Sequence, residues 1–574
     1  MLRLYDSTAK RGAIARTAVA VIIVAIIVIA GAGAYVLSNS SGSSGTTSTT
    51  RSSGSPSTSS AGSTTSVGGS TTTTSTTGSG SSSVVNVAFS DGGQSVDPAI
   101  CTDDLTSLTF CDQVYQALVG VGTSTGSNGQ TILDMTKRAP LLASSWTEST
   151  NGSVWTFNLV QNATFSNGDK FNATDVLYTV NRCFTMGFTC AFFLGLAGID
   201  QNSTKIINAY TVQFTVKPGP FMLQALFFMP IVDPAWVQAN GGVTAGQPNT
   251  YMTTHAMGTG PFELQSYDPS SGAVFIRNPN YWGTPAKAGE IDVKVVPSDA
   301  TREELLETNA IQLMNLVPAS DVTTMQSAGV DVYQNVGNGE LYLDMSWNTA
   351  PFNNTLVRQA IAYAIPYQQI LQQAEYGYAS QLTSVVPNNA YGYNGSYWPY
   401  SQNIQKAKAL LTQAGYPNGF STTLQIQAGF SDQAAAATII QSALNQIGIT
   451  VTIQSITTST FSTQWTSGQL TFFITKLNPA INDIRYVAEG FMTPTGFANF
   501  DHLNNATITA LANNIYYGPA DNQTGFNLFQ KDVNENPNWV LLYQYPDLTG
   551  GNSHLHGFTY CNFELFFFKY LYTT

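Results

Sequence analysis

The spacing of hydrophobic positions divides this chain into three parts. Residues 17–37 form an apolar run without any charge, dominated by Val, Ile and Ala. At 1.5 Å per residue this run spans about 30 Å as a helix, which is enough to cross a bilayer. Residues 38–83 are almost wholly Ser, Thr and Gly and bury too little apolar surface to fold. From residue 84 onward, alternating and helical spacings interleave, which predicts a globular part of mixed α/β (α+β) class behind one N-terminal transmembrane helix and a disordered Ser/Thr stalk.

The basic residues set the expected orientation of the apolar run. Arg3, Lys10, Arg11 and Arg16 precede it and no basic cluster follows, so residues 1–16 are expected to be cytoplasmic and everything after the helix extracytoplasmic. A cleavable secretory signal is the alternative, although its apolar region is usually only about 7–15 residues long. The sequence around Gly12 also resembles the junction of archaeal pilin-like signals, where processing would leave the helix attached.

Several elements of the globular part have clear boundaries in the sequence. Trp155, Phe157 and Leu159 alternate with polar residues as in a half-buried strand, and Thr174 and Asp175 open a helix. Three further helices are predicted. The first begins at about Thr355 and is interrupted at Pro366, and the second covers residues 404–414 and ends at Gly415. The third covers residues 435–447 and is followed by a strand over residues 449–456.

Composition narrows the classes of partner. Charged residues are 10% of the 574, and the formal net charge is -12. A chain without a basic patch is not expected to bind nucleic acid or anionic lipid through one. A surface whose hydrogen bonds come from amides and hydroxyls keeps them when carboxylates are protonated, so this composition suits an acidic exterior.

The cysteines and the glycosylation sequons bear on the compartment. Two short-range disulfides, Cys101 with Cys111 and Cys183 with Cys190, are plausible outside the cell, and buried free thiols are the alternative. Cys561 is then left over. Asn-x-Ser/Thr sequons fit an exported glycoprotein and occur at Asn39, Asn151, Asn162, Asn172, Asn202, Asn353, Asn394, Asn505 and Asn522.

Four motifs in a fixed order carry a family resemblance. They are a WTF strand with a Phe-x-x-Gly-Asp turn and an Ala-Thr-Asp-Val helix start (residues 155–176), a GTGPF and RNxxYW pair (258–282), an NxxxPF and VRQAI pair (348–361), and an AKALLxxAGYPxGF segment (406–420). The chain resembles family 5 extracellular solute-binding proteins, the dipeptide- and oligopeptide-binding components of ABC importers. Most motif residues serve turns and core packing, so they indicate a fold and do not name a ligand.

The resemblance implies a two-lobed clamshell of the periplasmic-binding-protein type II kind with an extra subdomain, closing on a solute between the lobes. The expected partners are a peptide ligand, an ABC permease with its ATPase subunits, and the membrane through the N-terminal helix. The expected division is lobe I over residues 84–120, 251–342 and 543–574, an extra subdomain of lobe I over 121–250, and lobe II over 343–542.

The resemblance also locates part of the ligand site, after the strand near Phe472. Peptide binders usually have an aromatic-and-Asp segment there that anchors the ligand's amino end, whereas this chain has Leu477 or Asn478 at that position and Asp483 later. An uncharged pocket would favour oligosaccharides, the alternative ligand. The candidate ligand-binding residues are Tyr342, Trp347, Asn348, Asn478, Asp483, Arg485, Tyr486, Tyr543 and Tyr545. Core packing is the competing interpretation of the aromatic ones, and an ion pair with Arg485 that of Asp483.

Functions of other classes find less support in the sequence. Gly122 to Gly126 matches the hydrolase G-x-S-x-G pattern around Ser124, but the strand-turn-helix context that the pattern needs is not predicted. His554 and His556 lack a clear third partner for a metal. We therefore expect no enzyme activity, no metal and no cofactor. A surface adhesion or S-layer-associated protein is the alternative from another class, with a peptide- or glycoside-hydrolysing enzyme after it.

Overall fold

The computed structural model describes residues 83–126, 131–519 and 521–574. The expected cytoplasmic segment, transmembrane helix and nearly all of the stalk lie outside these residues. Within the described part of the chain, no helix combines the length and hydropathy needed to cross a membrane.

The described residues form interleaved strands and helices. The strands are β1 (Val84–Phe89), β2 (Val119–Thr125), β3 (Thr131–Pro140), β4 (Ala143–Glu148), β5 (Val154–Leu159), β6 (Thr204–Asn208), β7 (Thr211–Thr215), β8 (Phe262–Asp268), β9 (Gly272–Arg277), β10 (Glu290–Val295), β11 (Leu313–Met314), β12 (Asp331–Met345), β13 (Ser380–Gln381), β14 (Ser421–Gln427), β15 (Thr450–Ile456), β16 (Phe472–Leu477), β17 (Trp539–Gly551), β18 (Leu555–His556) and β19 (Tyr572–Thr573). The helices are α1 (Leu105–Val114), α2 (Ala173–Met186), α3 (Thr189–Leu196), α4 (Met222–Phe227), α5 (Pro234–Ala239), α6 (Asp299–Glu307), α7 (Val322–Ser327), α8 (Thr355–Ala364), α9 (Tyr367–Ala374), α10 (Ile404–Gln413), α11 (Ser431–Asn445), α12 (Thr458–Thr466), α13 (Ile484–Phe491), α14 (Ala506–Tyr517) and α15 (Gln523–Glu535).

Local sequence signals explain where several helices begin and end. Helix α2 starts with a capping box, in which Asn172 accepts from the first turn and Asp175 accepts from the Asn172 backbone, and it ends at Gly187 with φ 73°. Helix α8 begins after the Asn354 cap and ends before Pro366, where α9 starts. The predicted helices are therefore present, and the third begins four residues earlier than expected, at Ser431.

Two long strands join the halves of the main sheet. Its strand order is β15-β14-β16-β12-β17-β11-β1-β10-β9-β8, with β13 also paired to β17. The first half of β12 pairs with the last half of β17 beside β11, and the second half of β12 pairs with β16 and the start of β17. The register between β12 and β17 shifts between Val336 and Glu340. Two lobes therefore meet at one irregular point of a two-stranded crossing.

Each half of the sheet has its own core. Phe89, Phe110 and Phe275 belong to the core on one side, and Leu343 and Phe472 to the core on the other. The two cores are separate apolar clusters, one on each side of the crossing.

A separate four-stranded sheet, β4-β5-β7-β6, packs against α2, and α2 in turn contacts α3. Its apolar cluster continues into the second lobe. The rings of Phe192 and Phe497 lie 5.3 Å apart, and those of Phe221 and Tyr516 lie 5.6 Å apart. The lobes are therefore in contact across the opening of the cleft.

The cysteine sulfurs of Cys101 and Cys111 are bonded, as are those of Cys183 and Cys190, with Cα–Cα distances of 6.6 and 5.5 Å. Cys561 is a buried free cysteine. The first bridge fastens the loop before α1 to that helix, and the second joins α2 to α3.

Candidate functional site

A cavity of about 440 Å³ lies between the lobes beside the crossing strands. It receives side chains from the loop after β1 and the start of α1 on one lobe, from α9, β16 and the segment after it on the other, and from β17 and the chain near the C-terminus. The residues that matter for its chemistry are Asp91, Asp104, Asp299, Arg302, Glu375, Lys476, Asn478, Tyr545, Asp547 and Glu564. Because all of these elements meet at one place, a solute here contacts both lobes.

Strand β12 of the crossing borders this cavity at a bulge that contains Gly337 and Gly339. A Cβ on Gly339 would lie 2.6 Å from the Asn478 Oδ1 and 2.9 Å from the Lys476 Cε, and one on Gly337 would lie 3.0 Å from the Glu564 Oε1. A side chain at Gly339 would push these two cavity residues aside. At Gly337 the added Cβ would also lie 2.8 Å from the Tyr545 backbone carbonyl oxygen, so close approach of the backbone favours glycine there.

Asn338 lies between the two glycines and links the bulge by hydrogen bonds to Pro479 and to Glu564. Its Nδ2 donates to the Pro479 carbonyl at 2.9 Å, and its backbone N–H donates to the Glu564 Oε1 at 3.3 Å. The Gln544 Nε2 on β17 donates to the Gly337 carbonyl at 2.7 Å. These bonds replace the ladder hydrogen bonds that the register shift removes.

Two tyrosines of β17 converge on one carboxylate of the second lobe. The hydroxyls of Tyr543 and Tyr545 donate to the Asp432 Oδ2 at 3.0 and 2.5 Å, and the Lys476 Nζ lies 4.4 Å from the Tyr545 ring centroid. Burial, and then the charge of Asp432, raises the pKa of the neighbouring Glu375 to about 8. The side chains on this wall of the cavity are polar and already form hydrogen bonds with one another.

A pair of carboxylates also lines the cavity. Asp547 on β17 and Glu564 near the C-terminus repel each other, and burial together with the Glu564 charge raises the pKa of Asp547 to about 8. Glu564 has φ 60°, a conformation that non-glycine residues adopt only where the surroundings hold them.

Three of the residues that line the cavity have a buried polar atom without a partner among the described residues: the Oδ1 of Asn478, the Oδ2 of Asp104 and the Nε of Arg302. Asp104 caps α1 through its Oδ1, which accepts from the Ser107 N–H at 2.6 Å, and the residue is 9% exposed. Burial raises the pKa of Asp104 to about 6. A buried polar atom that is left unbonded is costly.

A second, smaller pocket of about 100 Å³ lies further along the same segment. Asp483 caps α13 and forms an ion pair with Arg485, in which the Arg485 Nη2 lies 2.5 Å from the Asp483 Oδ2. Both residues are less than a tenth exposed, so this is a buried pair and not a surface one. Arg138 from β3 and Asn482 complete the wall, and the Asn482 Oδ1 has no partner among the described residues.

Comparison with known proteins identifies the family. The model of the bacterial extracellular solute-binding proteins, family 5 (Middle), matches residues 137–499. The chain belongs to this family. The glutathione-binding protein GsiB of Shigella flexneri serotype 5b is 29% identical over 371 residues, which cover 64% of this chain and 68% of that protein. The GsiB of Escherichia coli K12 is 29% identical over 370 residues, with the same coverage.

Solved structures share the fold of this family 5 protein. The binding protein DppA of Helicobacter pylori, in complex with the peptide STSA, has a TM-score of 0.70 at 24% identity and covers 85% of this chain and 98% of its own. CtaP of Listeria monocytogenes has a TM-score of 0.75 at 17% identity and covers 86% and 99%. The two-lobed periplasmic-binding-protein fold follows from this likeness, and the mixed α/β class is confirmed.

The structure brings only part of the predicted ligand-binding set to the large cavity of this family 5 protein. Asn478 and Tyr545 line it, whereas Asp483 and Arg485 line the small pocket. Tyr543 is fully buried beside the cavity, with its hydroxyl on Asp432.

The other predicted residues lie away from both pockets. Tyr342 is buried against Trp539, with ring centroids 4.6 Å apart. Trp347 lies under the guanidinium of Arg358, 3.8 Å from its ring centroid. Asn348 is exposed beyond the end of β12, and Tyr486 packs in the cluster at the mouth of the cleft.

Sequence reasoning missed the carboxylates of the cavity, among them Asp104, Glu375, Asp547 and Glu564. The Asp104 cap had a readable signal, because Asp before an amphipathic segment is a helix N-cap. The other three lie in unrelated parts of the chain, and only the folded lobes bring them to one cavity.

The hydrolase pattern does not have the geometry of a nucleophile elbow. Ser124 lies on β2, which pairs in a hairpin with β3, and a nucleophile elbow needs a helix directly after the serine. Among the described residues, no group of three or more His, Cys, Asp or Glu side chains is placed to hold a metal.

Proposed function

We propose that this protein is the extracytoplasmic receptor of an ABC importer, and that it captures peptides between its lobes and delivers them to a membrane permease. The observation that carries the proposal is the cavity of about 440 Å³ whose walls come from both lobes and from both sides of the crossing. A solute that contacts both lobes stabilises their closed arrangement, and closure is the state that a permease distinguishes from the empty receptor.

The charge of the cavity supports a peptide over an oligosaccharide. Carboxylates such as Asp104 and Glu564 suit an ammonium group, and the unpartnered Asn478 Oδ1 suits a peptide N–H. The peptide named with H. pylori DppA and the glutathione named with GsiB are of the same chemical class.

The direct test is ligand-dependent thermal stability of the purified full-length chain against separate panels of short peptides and oligosaccharides. Saturable stabilisation by peptides is expected, because a ligand that binds the folded state alone raises the melting temperature with concentration. Small-angle scattering with the same ligand reports closure. Stabilisation by sugars alone, or by neither panel, contradicts the peptide-receptor proposal.

The membrane attachment belongs to the same proposal. A helix over residues 17–37 with a cytoplasmic segment before it and a stalk over 38–83 would hold the receptor near its permease while leaving it free to turn. Alkaline carbonate extraction of membranes tests it: the full-length chain is expected in the pellet, and a variant lacking residues 1–37 in the supernatant. Recovery of the full-length chain in the supernatant contradicts the anchor.

We further propose that the receptor is a glycoprotein and that it catalyses no reaction. We also propose that lobe I consists of residues 84–120, 251–342 and 543–574, that lobe II consists of residues 343–542, and that residues 121–250 form the extra subdomain. The crossing of β12 and β17 supports the division. The sequon residues with exposed side chains are Asn151, Asn162, Asn202 and Asn353. Mass loss on treatment with an N-glycosidase, absent when these four are replaced by Gln, tests the modification.

A further inference from the structure

Strand β8 is the outermost strand at one end of the main sheet. It pairs with β9 alone, and no backbone hydrogen bond among the described residues reaches its other edge between Phe262 and Tyr267. The amides and carbonyls along that edge are therefore left to solvent or to another strand. A free edge of this kind is a template for an added strand.

A groove of about 470 Å³ runs along this free edge. Five consecutive residues of β8, from Glu263 to Tyr267, line it, although neighbouring side chains of a strand point to opposite faces of a sheet. A groove that touches all five follows the edge of the strand and not one face of the sheet. Residues 254–257 and the rings of Trp236 and Tyr251 also line it.

The groove is partly aromatic and carries little charge. The Tyr251 side chain is 40% exposed, and its ring stacks on His255 with the centroids 4.0 Å apart and lies 6.0 Å from the Trp236 ring. Glu263 is the one acid among the residues that line the groove, and none of them is Lys or Arg. Exposed aromatic surface beside unpaired backbone suits an extended, uncharged stretch of polypeptide.

The chain enters the main sheet near one end of this groove. Strands β1 and β8 run in the same direction, because β1 is parallel to β10 while β9 is antiparallel to both β10 and β8. Successive partners across β1, β10, β9 and β8 are Val84, Glu290, Ile276 and Glu263. Three strand spacings of about 4.8 Å place the start of β1 about 14 Å from the start of β8.

The residues that precede β1 match the free edge in length and composition. Residues 71–77, with the sequence TTTTSTT, lie outside the described residues and equal the 7 residues of β8 in number. Threonine is β-branched and is enriched in strands. Residues 78–83 reach up to about 20 Å when extended, so they can span the distance from the end of such a strand at Glu263 to the start of β1.

We propose that residues 71–77 of the stalk add to β8 as an antiparallel strand in this groove, so that the last part of the stalk is bound to lobe I. An antiparallel strand ends where β1 begins, which is the direction that the short linker requires. The added strand covers an edge that would otherwise be open to pairing with other chains. It also fixes the orientation of lobe I relative to the rest of the stalk, whichever solute the receptor binds.

Hydrogen–deuterium exchange of the full-length chain tests the proposal, measured on the amides from Phe262 to Asp268. Deletion of residues 71–77 is expected to accelerate exchange of the outward-facing amides about tenfold or more, because several ladder hydrogen bonds are lost together. Deletion of residues 44–50 is the matched control, since it removes seven Ser, Thr and Gly residues from the same stalk, and it should leave this exchange unchanged. Equal exchange in the full-length chain and in the 71–77 deletion overturns the proposal.

A single substitution makes the same comparison without changing the length of the stalk. Thr74→Pro removes a backbone donor from the middle of the proposed strand, and proline is not tolerated inside a hydrogen-bonded ladder. Exchange of the β8 amides is therefore expected to rise in this variant, whereas Thr47→Pro, in a similar Ser/Thr stretch, should have no effect. The same exchange in both variants contradicts the proposed strand.

Cysteine cross-linking identifies what occupies the edge. Gln265 is exposed at the middle of β8, so Thr74→Cys together with Gln265→Cys is expected to form a disulfide within one chain under mild oxidation. Thr47→Cys together with Gln265→Cys is the control and should remain reduced. A disulfide that joins two chains would show that a second copy occupies the edge, and equal cross-linking in the two pairs would show no specific occupant; either result overturns the proposal.

Discussion

The backbone N–H of Asn338 donates a hydrogen bond to the Glu564 carboxylate at 3.3 Å, which links the bulge of the first crossing strand to the C-terminal segment. The same residue donates from its side chain to Pro479 of the other lobe. The bulge of β12 and the cavity wall are thus joined by hydrogen bonds. We therefore expect movement of the lobes to be coupled to the position of the Glu564 carboxylate.

Replacement of the Asn338 side chain tests this coupling. Asn338→Ala removes the donor to the Pro479 carbonyl and is expected to lower the free energy of unfolding by about 1–3 kcal/mol, because a buried acceptor loses its partner. Urea denaturation measures the change. Gln334→Ala, at an exposed side chain on the same strand before the bulge, is the comparison, and an equal loss there would argue against a special role of the bulge.

Gly339 limits the space between the crossing and the cavity. Gly339→Ala places a Cβ 2.6 Å from the Asn478 Oδ1, so Asn478 and Lys476 must shift and peptide affinity is expected to fall about tenfold or more. Titration with tri-alanine measures it. Gly195→Ala is the matched control: no atom lies within 4 Å of its added Cβ, and the change in α3 should stabilise the protein by about 0.5–1 kcal/mol without altering affinity.

The aromatic contact at the mouth of the cleft is expected to favour closure. Phe497→Ala removes the ring that lies 5.3 Å from Phe192 of the subdomain, so the unliganded protein should open and show a larger radius of gyration by small-angle scattering. Leu528→Ala, at a side chain that is 50% exposed, is the control. An unchanged radius in Phe497→Ala would show that this contact does not hold the lobes together.

Stability is expected to be greater in acid than at neutral pH. Burial raises the pKa of Asp501 and Asp104 to about 6 and that of Asp112, Glu375 and Asp547 to about 8. The folded state therefore binds more protons than the unfolded state, whose carboxyl groups titrate near 4. This contribution is complete below about pH 4 and is lost as the pH rises to about 8. The pKa of Asp134 is lowered, so the contribution of this carboxylate to stability is lost only at a lower pH, where it becomes protonated.

Thermal melting between pH 4 and pH 8 checks the sign of this effect. The melting temperature should fall by several degrees across the range. Asp501→Asn imitates the protonated carboxyl and keeps an oxygen for the Asn538 amide that donates to it, so this variant should be less sensitive to pH. An increase in melting temperature from pH 4 to pH 8 would contradict the prediction.

Arg358 gives a prediction about Trp347, which lies outside both pockets. The buried guanidinium donates to the carbonyls of Pro537 and Phe352, both at 2.7 Å, and lies over the Trp347 ring. Arg358→Lys cannot make this planar set of bonds, and a loss of about 2–4 kcal/mol in unfolding free energy is expected. Trp347→Phe should cost less and leave tri-alanine affinity unchanged. A loss of affinity with Trp347→Phe would return Trp347 to the ligand site.

The sequence by itself determined the local elements and the family. Caps such as Asn172 and stops such as Pro366 act through the nearest few residues, so their positions are readable from the chain. The resemblance predicts part of the ligand site after the strand that begins at Phe472. Lys476 and Asn478 line the large cavity there, and their role in ligand binding stays a prediction.

Only the tertiary structure decided which side chains meet. Asp104, Glu375, Asp547 and Glu564 are distant in sequence, and no local pattern marks their convergence. Tyr342 shares a strand with residues beside the cavity but lies in the core, because β12 is buried on both faces from Gly337 to Met345. Side-chain period and capping are local properties, whereas the charge of a cavity is the sum over chain segments that folding brings together.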